Sequence, residues 1–161
     1  MISADGISFE EGIHFISGRV GSGKTTFARK LFESAPAGTC VWLFQEIEHH
    51  ITASTLAKEL ASWGVSGTEP EFVLASVSDL SRDPYTLSRG ELKRFLLACI
   101  LARGTEYLIL DEPYASLDAE AHNQLTALLQ NREGTIIIFS HEEPITDAFL
   151  WKMEGGKPCR M

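Results

Sequence analysis

Residues Gly18 to Thr25 read Gly-Arg-Val-Gly-Ser-Gly-Lys-Thr, a complete G-x-x-x-x-G-K-[ST] loop. Backbone N–H groups of such a glycine-rich turn converge on phosphate oxygens, and the helix that follows adds the positive end of its dipole. The candidate cradle comprises Gly18, Gly21, Ser22, Gly23, Lys24, Thr25 and Thr26. Lys24 is expected to reach the β- and γ-phosphates of a nucleotide, and the Thr25 hydroxyl to ligate Mg²⁺. Further on, Tyr107-Leu-Ile-Leu-Asp111-Glu112-Pro113 reads as a buried apolar strand that ends abruptly in two carboxylates. Asp111 suits a Mg²⁺ held through water, and Glu112 suits a group that orients or deprotonates an attacking water.

Two weaker signals accompany these. Leu87-Ser88-Arg89-Gly90-Glu91 opens a helical pattern, and Ser88 with Glu91 three residues on is a capping box. The same geometry points a serine hydroxyl, backbone N–H groups and a helix dipole outward, where a second phosphate can bind. His141 follows Ile136-Ile-Ile-Phe-Ser140, a strand pattern, and so stands at a strand end. His49 and His50 lack a second pair of ligands and read as solvated.

Positioning these groups requires strands whose ends meet. Strand patterns cover Ile13–Ser17, Cys40–Phe44, Tyr107–Leu110, Thr135–Ser140 and Phe149–Met153. Helical patterns cover Lys24–Glu33, Thr55–Trp63, Glu69–Val77, Arg89–Arg103 and Ala119–Asn131. The alternation predicts an α/β fold with a mostly parallel sheet flanked by helices, in one domain spanning residues 1–161. The stretch 46–86 holds helical patterns and no strand, and reads as a small helical insertion between two sheet strands.

Composition narrows the class. A hydrophobic fraction of 44% with 22% charged residues belongs to a globular chain rather than a disordered one. The formal net charge of -8 disfavours nucleic acid as a partner but not ATP, because the phosphate loop supplies its own local positive field. The odd set Cys40, Cys99 and Cys159 lacks metal-ligand spacing and fits a reducing cytoplasm. No basic-then-apolar leader opens the chain, and the longest apolar stretch, Phe95–Ala102, is too short to span a bilayer. Action at a membrane is therefore expected to go through a partner.

Taken together, the motifs resemble those of the ATP-binding-cassette (ABC) ATPases. Leu87–Glu91 looks like that family's signature motif and Asp111-Glu112 like its Walker B pair. Ala115-Ser116-Leu117-Asp118 is similar to the D-loop, His141 to the switch histidine, and Gln45 to the Q-loop glutamine. The resemblance implies a phosphate-loop NTPase fold and two subunits facing head to tail around two Mg-ATP. Each ATP would then touch Lys24 and Thr25 of one subunit, and Ser88 and Gly90 of the other. It further implies that Glu112 polarises the attacking water, His141 contacts the γ-phosphate, and Gln45 senses Mg²⁺ and couples it to a docked partner. Asp118 would connect the two sites.

The chain also departs from the family. The interval from Lys24 to Gln45 has room for a helix, a turn and a strand, so the antiparallel β arm is expected to be reduced. No aromatic residue stands clearly upstream to stack on adenine; Phe9 is the nearest, and it is expected to face the core. Arg89 replaces the first of two glycines in the signature. The stretch from Phe44 to Leu60 is similar to the Q-loop region of energy-coupling-factor ATPases. Three functions compete on this reading. One is an ATP-hydrolysing subunit on the cytoplasmic face of a membrane transporter. The others are a non-transport ABC ATPase and a regulatory nucleotide-binding module with little turnover.

Overall fold

The computed structural model describes residues 1–161. The chain divides into two compact units, Met1–Gln45 with Thr105–Ala115 and Leu129–Met161, and Glu46–Gly104 with Ser116–Leu128. In chain order the first contains β1 (Ile2–Ala4), β2 (Ile7–Phe9), β3 (Gly12–Ser17), α1 (Lys24–Ser34) and β4 (Cys40–Leu43). It continues with β5 (Tyr107–Asp111), β6 (Thr135–Ser140), β7 (Phe149–Glu154) and β8 (Lys157–Arg160).

The six-stranded sheet has the order β4-β5-β6-β3-β7-β8. All neighbours pair parallel except the β7–β8 hairpin. Strands β5 and β6 are buried at every position, which is why they read as near-continuous apolar runs rather than alternating ones. On one face, Ile16, Trp42, Ile109, Ile137 and Phe139 form a core cluster with Phe27, Ala28 and Leu31 of α1. Removing the Phe27 side chain from water contributes about 1.5–3 kcal/mol. The order matters for function. Because β3, β6, β5 and β4 are neighbours and run the same way, the segments leaving their C-terminal ends emerge along one edge. Gly18, His141, Asp111-Glu112 and Gln45 all lie there.

Two hairpins went unread in the sequence. β1 and β2 pair through Asp5-Gly6, with φ of 51° and 81°, and β7 and β8 through Gly155-Gly156, with φ of 57° and 81°. Both turns need positive φ at their two central residues, which matches the twist of an antiparallel ribbon. Between α1 and β4, where the antiparallel arm is expected to be reduced, there is no strand, and the β1–β2 pair is a separate short ribbon ahead of β3. Phe9, at its end, is fully buried, as expected.

The second unit contains α2 (Leu56–Trp63), α3 (Arg89–Ala102) and most of α4 (Ala119–Gln130), with short 3₁₀ turns at Ile47–His50, Pro70–Leu74 and Pro84–Thr86. The residues 46–86 read as an insertion lie in this unit. The helix expected over Glu69–Val77 is a correction: only Pro70–Leu74 is helical, and as a 3₁₀ turn. The backbone turns extended at Ala75 (φ -80°, ψ 118°), where the Leu74 carbonyl accepts from Arg94 Nε at 2.7 Å. The neighbouring Glu59 is fully buried and accepts from the N–H groups of Thr52 (3.0 Å), Ala53 (2.9 Å) and the Trp63 indole (3.1 Å). It thereby pins the Thr52–Ala53 backbone to α2.

Candidate functional site

The phosphate loop leaves β3 at Gly18 and enters α1 at Lys24. Gly21 and Gly23 hold φ of 80° and 95°, a backbone conformation that costs side-chain-bearing residues strain. Gly23 also caps α1 without a side-chain hydrogen bond. The bond from the Phe27 N–H to the Gly23 carbonyl (2.9 Å) opens the helical ladder, so the amides of Lys24, Thr25 and Thr26 precede it. The loop rests on the β7–β8 hairpin. A Cβ on Gly18 would fall 2.9 Å from Met153 Cβ, and one on Gly23 would fall 3.2 Å from Gly156 Cα. Nothing in the sequence flags Met153 or Gly156, because the support comes from a strand at the far end of the chain.

A cavity of about 410 Å³ opens beside the loop, lined by Gly21, Gly23, Lys24, Thr25, Thr26, Gln45, Asp111, Glu112 and His141 among others. Residues far apart in sequence thus meet at one site. Thr25 Oγ1 donates to Asp111 Oδ2 at 3.1 Å. Lys24 Nζ donates to the carbonyls of Gly18 (2.5 Å) and Arg19 (3.1 Å), holding its charge against the loop. Gln45 is exposed and lies two residues beyond the end of β4. Arg19 and the fully exposed Val20 also line the cavity, as variable positions of the motif that spacing alone cannot assign.

Glu112 has φ of 50°, unusual for a residue with a side chain, and its N–H donates to the Phe139 carbonyl at 2.8 Å. Its Oε1 lies 3.0 Å from His141 Nδ1, and its Oε2 accepts from Ser140 Oγ at 3.1 Å. The Glu112 hydrogen bond, and then its charge, raise the His141 pKa above the ordinary histidine value. Ser140 is the residue that reasoning from sequence missed: a serine at a strand end carries no signal until the fold sets it beside Glu112.

The arrangement fits hard-cation and phosphate chemistry. The Thr25 hydroxyl, the Gln45 amide and the Asp111 carboxylate are oxygen donors among the residues that line the cavity. The Ser22 hydroxyl is buried inside the loop without a hydrogen-bond partner.

Ser88, Gly90 and Asp118 belong to the second unit. Both halves of the capping box form: the Glu91 N–H donates to Ser88 Oγ (3.2 Å) and the Ser88 N–H to Glu91 Oε2 (2.8 Å). Ser88 remains exposed at the tip of α3. A Cβ on Gly90 would sit 3.2 Å from the Ser116 carbonyl, so glycine permits that approach, and Ser116 itself holds φ of 68°. Asp118 caps α4 by accepting from the Ala121 N–H at 2.8 Å and lies 3.7 Å from Arg94. His50, expected to be solvated, is half-buried; burial foremost, then His49, pushes its pKa down to about 4.

A parallel sheet with a phosphate loop after one strand and a carboxylate pair at the end of another defines a phosphate-loop nucleotide-binding domain. A family model described as an AAA domain matches residues 7–149. An uncharacterised ABC transporter ATP-binding protein of Mycobacterium tuberculosis is 32% identical over 155 residues, covering 79% of this chain and 22% of its own. An energy-coupling factor transporter ATP-binding protein of Streptococcus agalactiae is 30% identical over 133 residues, covering 71% of this chain and 48% of its own. The chain therefore spans between about a fifth and a half of these relatives. The dimeric post-hydrolysis structure of an ATP-binding cassette with ADP and Pi shares the fold, with a TM-score of 0.71, 16% identity, and coverage of 96% of this chain and 88% of that one. The chain belongs to the phosphate-loop family that this AAA-domain model describes, and its relatives at 30–32% identity are ABC transporter ATP-binding proteins.

Proposed function

We propose that this chain binds and hydrolyses Mg-ATP as the ATP-binding subunit of an ABC-type transporter, on the cytoplasmic face of a membrane. The observation that carries the reading is the single cavity shared by Lys24, Thr25, Gln45, Asp111, Glu112 and His141. Lys24 and the loop amides bind and orient the triphosphate, so that the γ-phosphorus faces the carboxylate edge. Thr25, Gln45 and Asp111 would hold Mg²⁺, which would supply positive charge against the phosphates. Glu112 accepts the proton of the attacking water, and His141 donates to the γ-phosphate as charge develops there.

Ser88 and Gly90 at the tip of α3 complete the site of a second copy, giving a head-to-tail dimer with two nucleotides. Its closing on ATP and opening after hydrolysis is the stroke passed to a membrane-spanning subunit. The names of the curated relatives support the transport assignment. No helix is long and apolar enough to cross a membrane.

Phosphate release from ATP by the purified chain tests the catalytic reading. The wild type should turn over with Mg²⁺, and Glu112→Gln should lose at least about 100-fold. Equal release by both proteins contradicts it.

A further inference from the structure

Glu112 divides its two carboxylate oxygens between unlike partners. Oε1 meets His141, whose side chain is 70% exposed, whereas Oε2 accepts from Ser140, which is fully buried. Ser140 ends β6, level with Ser17 of β3, which fixes its backbone within the sheet. Its hydroxyl proton points to Glu112, and its oxygen accepts from the Glu142 N–H at 3.2 Å. A hydroxyl has one proton to give, and here a neighbouring amide fixes the direction in which it is given.

We propose that Ser140 is a positioning residue for Glu112. It anchors Oε2 so that only Oε1 exchanges partners, leaving His141 for water when nucleotide enters. The proposal rests on the reading of Glu112 as the group that accepts the water proton. A carboxylate free to rotate about its terminal bond presents either oxygen in many directions, and that bond has only broad rotational preferences. Pinning one oxygen from a buried, rigid site selects one direction for the other. The chain Glu142 N–H to Ser140 Oγ to Glu112 Oε2 also ties the carboxylate to the segment that carries His141.

A purely local reading is that Ser140 closes a turn by accepting from Glu142, a common use of serine at strand ends. That accounts for the acceptor half of the hydroxyl and leaves the donation to Glu112 unexplained.

The test compares Ser140→Thr with Ser140→Val, side chains of one shape that differ by the hydroxyl. Thermal melting and binding of a fluorescent ATP analogue are measured alongside turnover. The expected result is that Ser140→Thr keeps kcat within about threefold of wild type. Ser140→Val should lose about 10- to 100-fold in kcat, with KM and analogue affinity within about twofold. In a Glu112→Gln background the same change should cost nothing further, because the group being positioned is gone. Equal kcat for the Thr and Val proteins overturns the proposal, as does a Val loss that persists undiminished beside Glu112→Gln. Absence of turnover in the wild type, or turnover that survives Glu112→Gln, instead removes the functional reading on which the proposal stands.

Discussion

The hydroxyl of Thr25 donates to Asp111 Oδ2 at 3.1 Å across 86 positions of sequence. The first turn of α1 is thereby joined to the end of β5, two strands away in the sheet. Both residues are oxygen donors suited to Mg²⁺, and the proposed function has them share the cation. Thr25→Val should remove the Mg²⁺-dependent part of ATP affinity while leaving the fold intact. ATP binding by the wild type should weaken at least about tenfold on adding a chelator, and binding by Thr25→Val should barely respond. Isothermal titration with and without chelator reads this directly.

Lys24 spends its ammonium on the carbonyls of Gly18 and Arg19. Exchanging these for phosphate oxygens replaces neutral acceptors with charged ones, a gain of about 1.5–3 kcal/mol. Lys24→Ala should therefore weaken ATP binding by about 10- to 100-fold. Its melting temperature should change by only a few degrees, as differential scanning fluorimetry would show.

The Glu112–His141 pair makes a prediction about pH. Hydrogen bonding to Glu112, with its charge, raises the folded pKa of His141 above the ordinary value. Stability from the pair is fully present below the unfolded pKa of about 6.5 and is lost as pH rises through the raised folded value. The difference in melting temperature between wild type and His141→Ala should thus shrink as pH is raised past that range. An NMR titration should place the His141 midpoint above 6.5 in the wild type and move it back down in Glu112→Gln. An unmoved midpoint would count against the ion pair.

Base recognition should be loose. Phe9 is fully buried, 5.0 Å from both the His14 and Trp151 rings, and so is committed to the core. The residues around the cavity include no aromatic ring to stack on a purine. Stacking adds on the order of 1 kcal/mol, and without it the phosphate contacts dominate. GTP should compete with ATP within about fivefold in a displacement titration; strong adenine selectivity would contradict this.

The tip of α3 allows capping and phosphate binding to be separated. Ser88→Ala should cost about 1 kcal/mol through the lost cap, and Ser88→Asn should restore it. If the hydroxyl also serves a partner's nucleotide, both variants should lose ATP-driven dimerisation, whatever their stability. Chemical denaturation and sedimentation, run side by side, distinguish the two roles.

The pattern of what could be read in the chain follows from which forces act locally. The phosphate loop was legible because its glycines, lysine and threonine are contiguous. The strand ending in Asp111 and Glu112 was legible because full burial makes a parallel strand apolar throughout. The Glu69–Val77 error shows the opposite case: the backbone turns extended at Ala75, where the Leu74 carbonyl accepts from Arg94, distant in sequence. Nothing in the sequence marks Glu59 as buried, and only the fold supplies the three N–H donors that allow its burial. Asp5-Gly6 is a hairpin signal, but strands of three residues on either side are too short to show a clear alternation. Ser140 is different again, since its importance depends on register: β6 must end level with the turn after β5 for its hydroxyl to meet Glu112.

In the proposed dimer, two copies enclose Mg-ATP between the phosphate loop of one and the tip of α3 of the other. Sedimentation velocity on Glu112→Gln with saturating Mg-ATP tests it most directly. The expected result is a dimer that reverts to monomer when nucleotide is withdrawn, and none when Lys24→Ala is added. A monomer at every nucleotide concentration, with ATP demonstrably bound, would contradict it.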